Sequence, residues 1–292
     1  MKYLKLVLTA LLSLLLCGCV PSGEPAQIAA TTLPVWEFTS RLCDGTPITV
    51  TRLVTEQVSC LHDYSLNVRQ VKAAESAETI VISGAGLEDF LEDLLIGAPV
   101  IDASEGIPLL CGEEHEEEHH HEESHHHEED PHIWLSPVNA KAMARNICTG
   151  LSSRYPQYTQ VFQNNLSLLI NDLDTLARYG KDTLANLQCR ELITFHDGFS
   201  YFADAFGLTI VKAVEEESGS EASARDLIEL VSLVEGHGIP AVFTEVSGST
   251  SAAGIVARET GCGAFPLDMA MAGDSYFEAM YHNIDTIKEA LG

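Results

Sequence analysis

Basic side chains are scarce in this chain of 292 residues: 16 Lys and Arg stand against 43 Asp and Glu, a formal net charge of −27. So acidic a balance argues against nucleic acid or anionic lipid as partners and favours cations. Beyond the first residues no apolar run approaches the roughly 18 needed to span a bilayer. No C-x-x-C pair occurs, which argues against a thiolate zinc site. No G-x-S-x-G occurs either, so nothing points to an esterase-type nucleophile. Gly84-Ala85-Gly86 follows a strand-like run, but Asp89 stands where a dinucleotide fingerprint needs its third glycine.

The N-terminus reads as an address. Lys2 and Lys5 precede an apolar run, Leu6 to Leu16, too short to cross a membrane. The run ends in Leu16-Cys17-Gly18-Cys19, which resembles a bacterial lipobox. Residues 1–18 are then a lipoprotein signal peptide, Cys19 the lipidated first residue, and 19–27 the anchor and polar spacer. The expected mature protein is an extracytoplasmic monomer, touching the membrane by its lipid alone. Six cysteines follow, Cys43, Cys60, Cys111, Cys148, Cys189 and Cys262, and six allow fifteen disulfide connectivities.

What the chain has in excess is histidine beside acid. From Glu113 to Asp130 every residue but Ser124 is one or the other. Seven are His115, His119, His120, His121, His125, His126 and His127, and ten are Glu or Asp. Such a tract cannot pack a core, because burying that much charge costs more than its contacts return. A solvated acidic loop is the plain alternative, yet it needs no histidines, whereas imidazole suits zinc, copper, nickel and iron. Two H-E-x-x-H matches lie inside it, but that motif works on a packed helix and this tract has no apolar face. The tract is expected to hold metal weakly.

Around it, short β-rich runs alternate with amphipathic helical ones. Strands are expected at 28–32, 48–54, 79–83 and 100–102, then at 193–195, 209–214, 241–245 and 264–267. Helices are expected at 35–42, 67–76 and 87–96, then around Tyr201 and at 223–236, 250–259 and 276–291, with Ser223 as an N-cap answered by Asp226. Strands separated by single helices need crossovers, hence parallel sheets in two Rossmann-like α/β lobes. Between the sets, Leu166, Leu169, Ile170, Leu173, Leu176 and Ala177 keep helical spacing within 157–186. That helix would be about 45 Å long, more than one lobe needs. The division is an N-terminal lobe at 28–155 including the 113–130 loop, a linker helix at 156–186, and a C-terminal lobe at 187–292.

Five histidines lie outside the tract. His62 and His196 each follow a strand, one per lobe, and His132 follows the tract in Asp130-Pro131-His132-Ile133-Trp134-Leu135-Ser136-Pro137. Parallel sheets put ligands beyond the carboxyl ends of their strands, so facing lobes would bring these three to one cleft. Asp268, ending the last strand, is the leading fourth ligand, with Glu245 as an alternate or supporting carboxylate. Three imidazoles and a carboxylate form a closed set suited to zinc. His237 reads as a helix-terminal residue and His282 as an exposed one, neither assigned to metal.

These pieces, with Leu61-His62-Asp63-Tyr64, Phe195-His196-Asp197-Gly198-Phe199-Ser200-Tyr201-Phe202, Phe243-Thr244-Glu245 and Leu267-Asp268, resemble the zinc/manganese-type (cluster A-I) solute-binding lipoproteins of ABC importers, zinc branch. The likeness covers essentially the whole mature chain. It implies two lobes on a long rigid helix, Zn²⁺ held between them by His62, His132, His196 and Asp268, and delivery to a membrane permease with a cytoplasmic ATPase. Zinc members share the third His and the His-rich loop, where manganese members carry Glu and usually no loop. The chain departs from the family at Cys60-Leu61, where Asp-Pro is common. The other readings are a manganese carrier, a surface metal store or adhesin, and a zinc hydrolase, which would need an open coordination position.

Overall fold

The structure, a computed structural model, describes residues 27–56, 58, 61, 64–110, 129–214 and 222–292. In the N-terminal half the elements are β1 (Gln27–Ala30), α1 (Leu33–Cys43), β2 (Thr49–Arg52), α2 (Val68–Ser76), β3 (Thr79–Ile82), a short α3 (Glu92–Leu95) and β4 (Val100–Asp102). Two helices follow, α4 (Pro137–Arg154) and α5 (Thr159–Thr183). The C-terminal half holds β5 (Glu191–Thr194), α6 (Ser200–Phe206), β6 (Thr209–Ala213), α7 (Ala224–His237), β7 (Ala241–Glu245), α8 (Ser251–Thr260), β8 (Gly263–Leu267) and α9 (Tyr276–Leu291). The strands form two four-stranded parallel sheets, ordered β2-β1-β3-β4 and β6-β5-β7-β8. The α/β class and the paired sheets agree with the sequence reading.

Helix α5 is the long bridging helix, 25 residues entered through a 3-10 turn at Pro156–Tyr158. It runs about 38 Å. Its far end is pinned by Arg190, whose guanidinium donates to the carbonyls of Leu184 and Ala185 beyond α5 and of Phe206 and Gly207 at the end of α6. Gly180 lets α5 approach α6: a Cβ there would lie 2.2 Å from a ring carbon of Phe206.

Two elements differ from expectation. The segment 87–96 is a 3-10 turn, Asp89–Leu91, running into the single turn of α3. Glu88 instead folds its carboxylate back to accept from the backbone N–H groups of Ser83 and Gly84. Helix α4 was not anticipated, although Ala140, Met143, Ala144, Ile147, Cys148 and Leu151 repeat at helical spacing and Pro137 opens its first turn. Ser223 does cap α7, accepting from Asp226 N–H while Asp226 accepts from its own.

One apolar core runs through both halves, from Ile28 and Phe38 past Trp134, Phe162 and Leu176 to Phe243, Tyr276 and Ile287. Polar bonds cross the same seam. Leu33 N–H donates to Met271 O (3.2 Å), Trp134 Nε1 to Met269 O (2.8 Å), and Tyr276 Oη to Trp134 O (2.8 Å). Cys43, Cys148, Cys189 and Cys262 are free thiols, and Cys60 and Cys111 lie outside the described residues. Among the described residues no helix is long and apolar enough to cross a membrane.

Candidate metal centre

The site begins where the chain returns at Asp130. Asp130 Oδ1 accepts from His132 backbone N–H (2.9 Å) and lies 2.8 Å from His132 Nδ1. The Nδ1–H tautomer donates to this carboxylate and leaves the Nε2 lone pair open. Nε2 is buried and has no hydrogen-bond partner among the described residues. A buried acceptor left open, on a ring whose other nitrogen is held by a carboxylate, suits a metal ion. The 3-10 turn Ile133–Leu135 then plants three buried apolar side chains behind the ring.

His196 leaves the end of β5 and is buried against His132, with ring centroids 5.4 Å apart and planes at 87°. Glu245, the last residue of β7, sits behind it, Oε1 3.7 Å from His196 Nδ1. Both imidazoles of this pair therefore have a carboxylate on the Nδ1 side. Gly198 lets the rings come this close. A Cβ there would lie 2.6 Å from Met269 Cε, 2.9 Å from His196 Cδ2 and 3.1 Å from His132 Cε1.

Asp268 follows β8 and lines a small cavity with Glu245, Val58, Val246, Met269 and Met271. Burial pushes its pKa up, opposed by a hydrogen bond from Ala270 N–H to Oδ1 (2.7 Å). Its own backbone is held on both sides by the buried Asn283 of α9.

The structure thus sets His132 against His196 and Glu245 behind His196, with Asp268 in a cavity that Glu245 also lines. Among the described residues no three His, Cys, Asp or Glu side chains close on a single point. His62, His115, His119, His120, His121, His125, His126, His127 and Cys19 lie outside the described residues. His237 stands at the end of α7 beside Glu191 (3.0 Å), and His282 is exposed on α9. Sequence reasoning missed the orienting role of Asp130, the space left at Gly198 and the hold of Asn283. Only the first carried a signal, a carboxylate two residues before a histidine.

A family profile described as ZnuA, the zinc-uptake complex component A, periplasmic, matches residues 28–290. The chain belongs to the ZnuA family. Its relatives include the zinc-binding lipoprotein AdcA of Streptococcus pneumoniae, 30% identical over 307 residues that cover 99% of this chain and 61% of that protein. The chain therefore spans less than two thirds of that relative's length. A crystal structure of ZnuA superposes with a TM-score of 0.79 at 27% identity, covering 91% of this chain and 100% of its own. The Zn(II)-bound ZnuA-like domain of Streptococcus pneumoniae AdcA gives 0.76 at 26% identity, covering 91% and 99%.

Proposed function

We propose that this chain captures Zn²⁺ outside the cytoplasm and delivers it to an ABC permease served by a cytoplasmic ATPase, as the binding component of high-affinity zinc uptake. The observation that carries this reading is the buried Nε2 of His132, backed by Asp130 and set 5.4 Å ring to ring from His196. The proposed ligands are His62, His132, His196 and a carboxylate, Asp268 ahead of Glu245. A set closed by protein donors leaves no position for an activated water, in keeping with a carrier and not an enzyme. Imidazole donors favour Zn²⁺ over Mn²⁺, which stands lowest in the divalent order. The body at 28–292 would hang from a lipid on Cys19, with the linker helix dividing two lobes and the histidines of 113–130 offering weak secondary sites.

Metal-stripped mature protein titrated with Zn²⁺ should show one tight event and several weak ones. His196→Ala should abolish the tight event alone, and deleting 113–129 should remove only the weak ones. A tight event that survives His196→Ala, or that vanishes with the deletion, overturns the assignment.

A further inference from the structure

The ladder of the C-terminal sheet stops one residue short of the proposed carboxylate ligand. Its last bond here runs from Val246 N–H to Leu267 O (2.9 Å). Among the described residues Asp268 then has no strand beside it, and its peptide groups must be satisfied some other way. Asn283, wholly buried on α9, does so with one carboxamide. Asp268 N–H donates to Asn283 Oδ1 and Asn283 Nδ2 donates to Asp268 O, both at 2.7 Å. The side chain imitates the reciprocal pairing of a neighbouring strand.

The chain past this clamp is bent. Ala270 adopts φ +55°, a left-handed conformation that an alanine reaches only when its surroundings impose it. The bend brings Ala270 N–H onto Asp268 Oδ1 at 2.7 Å, so one carboxylate oxygen is spent on the turn and Oδ2 is left for a cation. Met269, between them, is held through its carbonyl by Trp134, two residues beyond His132.

We propose that Asn283 is a positioning residue of the metal site, fixing the Asp268 backbone so that one oxygen of its carboxylate is presented to the ion. This rests on Asp268 being a ligand. A buried, satisfied asparagine could also do no more than dock α9, and a double-mutant cycle separates the two. If Asn283 acts through Asp268, Asn283→Ala should weaken tight Zn²⁺ binding at least tenfold in the intact protein. It should cost nothing further in an Asp268→Ala background. The visible absorption of the Co²⁺-loaded Asn283→Ala protein should also move to that of the Co²⁺-loaded Asp268→Ala protein, a change that mere loosening of α9 would not copy. Should Asn283→Ala fail to fold, Asn283→Asp keeps the acceptor, loses the donor, and is measured the same way. Equal losses in both backgrounds, or an unchanged affinity in the single variant, overturn the proposal. If Asp268→Ala alone binds zinc as tightly as the parent, Asp268 is no ligand and the proposal falls with it. Loss of the tight event in His196→Ala would still stand.

Discussion

Asp130 shows how a residue can be conspicuous in sequence for one reason and matter in the fold for another. Read along the chain it closes an acidic tract; in space it fixes the tautomer of His132 through a 2.8 Å contact with Nδ1. Carboxylates placed behind metal-bound imidazoles typically account for 10- to 100-fold in affinity. Asp130→Ala is therefore expected to weaken the tight Zn²⁺ event by about that factor with the fold intact, as read by competition with a chelating dye. An unchanged affinity would mean the ring is held well enough without it. Gly198 makes a second test at this scale. A valine there has to displace two imidazole edges and Met269 Cε, so Gly198→Val should cost more affinity than Gly198→Ala. His132 and His196, which the structure brings together, drew notice in the sequence because one sits in a distinctive motif and the other just past a strand. Gly198 did not, since the need for an absent Cβ exists only once two distant rings meet.

Among the elements, the strands and most helices follow from periodicity, while α3 fails because a buried side chain overrules it. Glu88 accepts from the Thr31 hydroxyl just past β1 and from the backbone N–H groups of Ser83 and Gly84 just past β3. Burial raises its pKa from 4.5 to about 7, against the pull of those three donors. A carboxyl whose folded pKa is raised contributes stability that is complete below about 4.5 and is lost as pH rises through about 7. At 1.36 kcal/mol per unit, this amounts to roughly 3 kcal/mol at most. Glu88→Gln removes that dependence, so the melting temperature of the metal-stripped variant should gain on the parent between pH 5 and 8. A constant gap across that range would show that Glu88 titrates normally. Helix α5 offers a packing test. Alanine in place of a helical glycine ordinarily helps by about 1 kcal/mol, but at Gly180 the new methyl meets the Phe206 ring. Overpacking of this kind costs about 1–3 kcal/mol, so Gly180→Ala should lower the melting temperature and Phe206→Leu should restore much of it. A stabilised single variant would show that α6 can simply move aside.

Across the whole molecule, the sequence reading of two lobes describes the sheets better than it describes the core. Hydrophobic periodicity reports which face of an element is buried, but not against which neighbour, so a core continuous from Phe38 to Tyr276 could not be read from it. The rings of Phe38 and Tyr276 meet edge to face at 5.1 Å across the seam, and Tyr276 Oη bonds the carbonyl of Trp134. Removing that hydroxyl leaves a buried carbonyl unpaired, at about 1–3 kcal/mol. Tyr276→Phe should thus lower the unfolding free energy while unfolding stays a single transition by far-UV and tryptophan signals. Two separated transitions would mean that the halves fold independently. The seam carries one more consequence. The turn bearing Asp268 and the segment bearing His132 are built into this shared core, so an ion that joins them is bolted into the frame of the entire chain. At a thousandfold excess over its dissociation constant, a ligand adds about 4 kcal/mol to the resistance of the folded state. Under the proposed ligand set, zinc supply would be written into the lifetime of the polypeptide. A starved copy should be cut by protease throughout its length far sooner than a loaded one, and the cell would keep the copies that carry something.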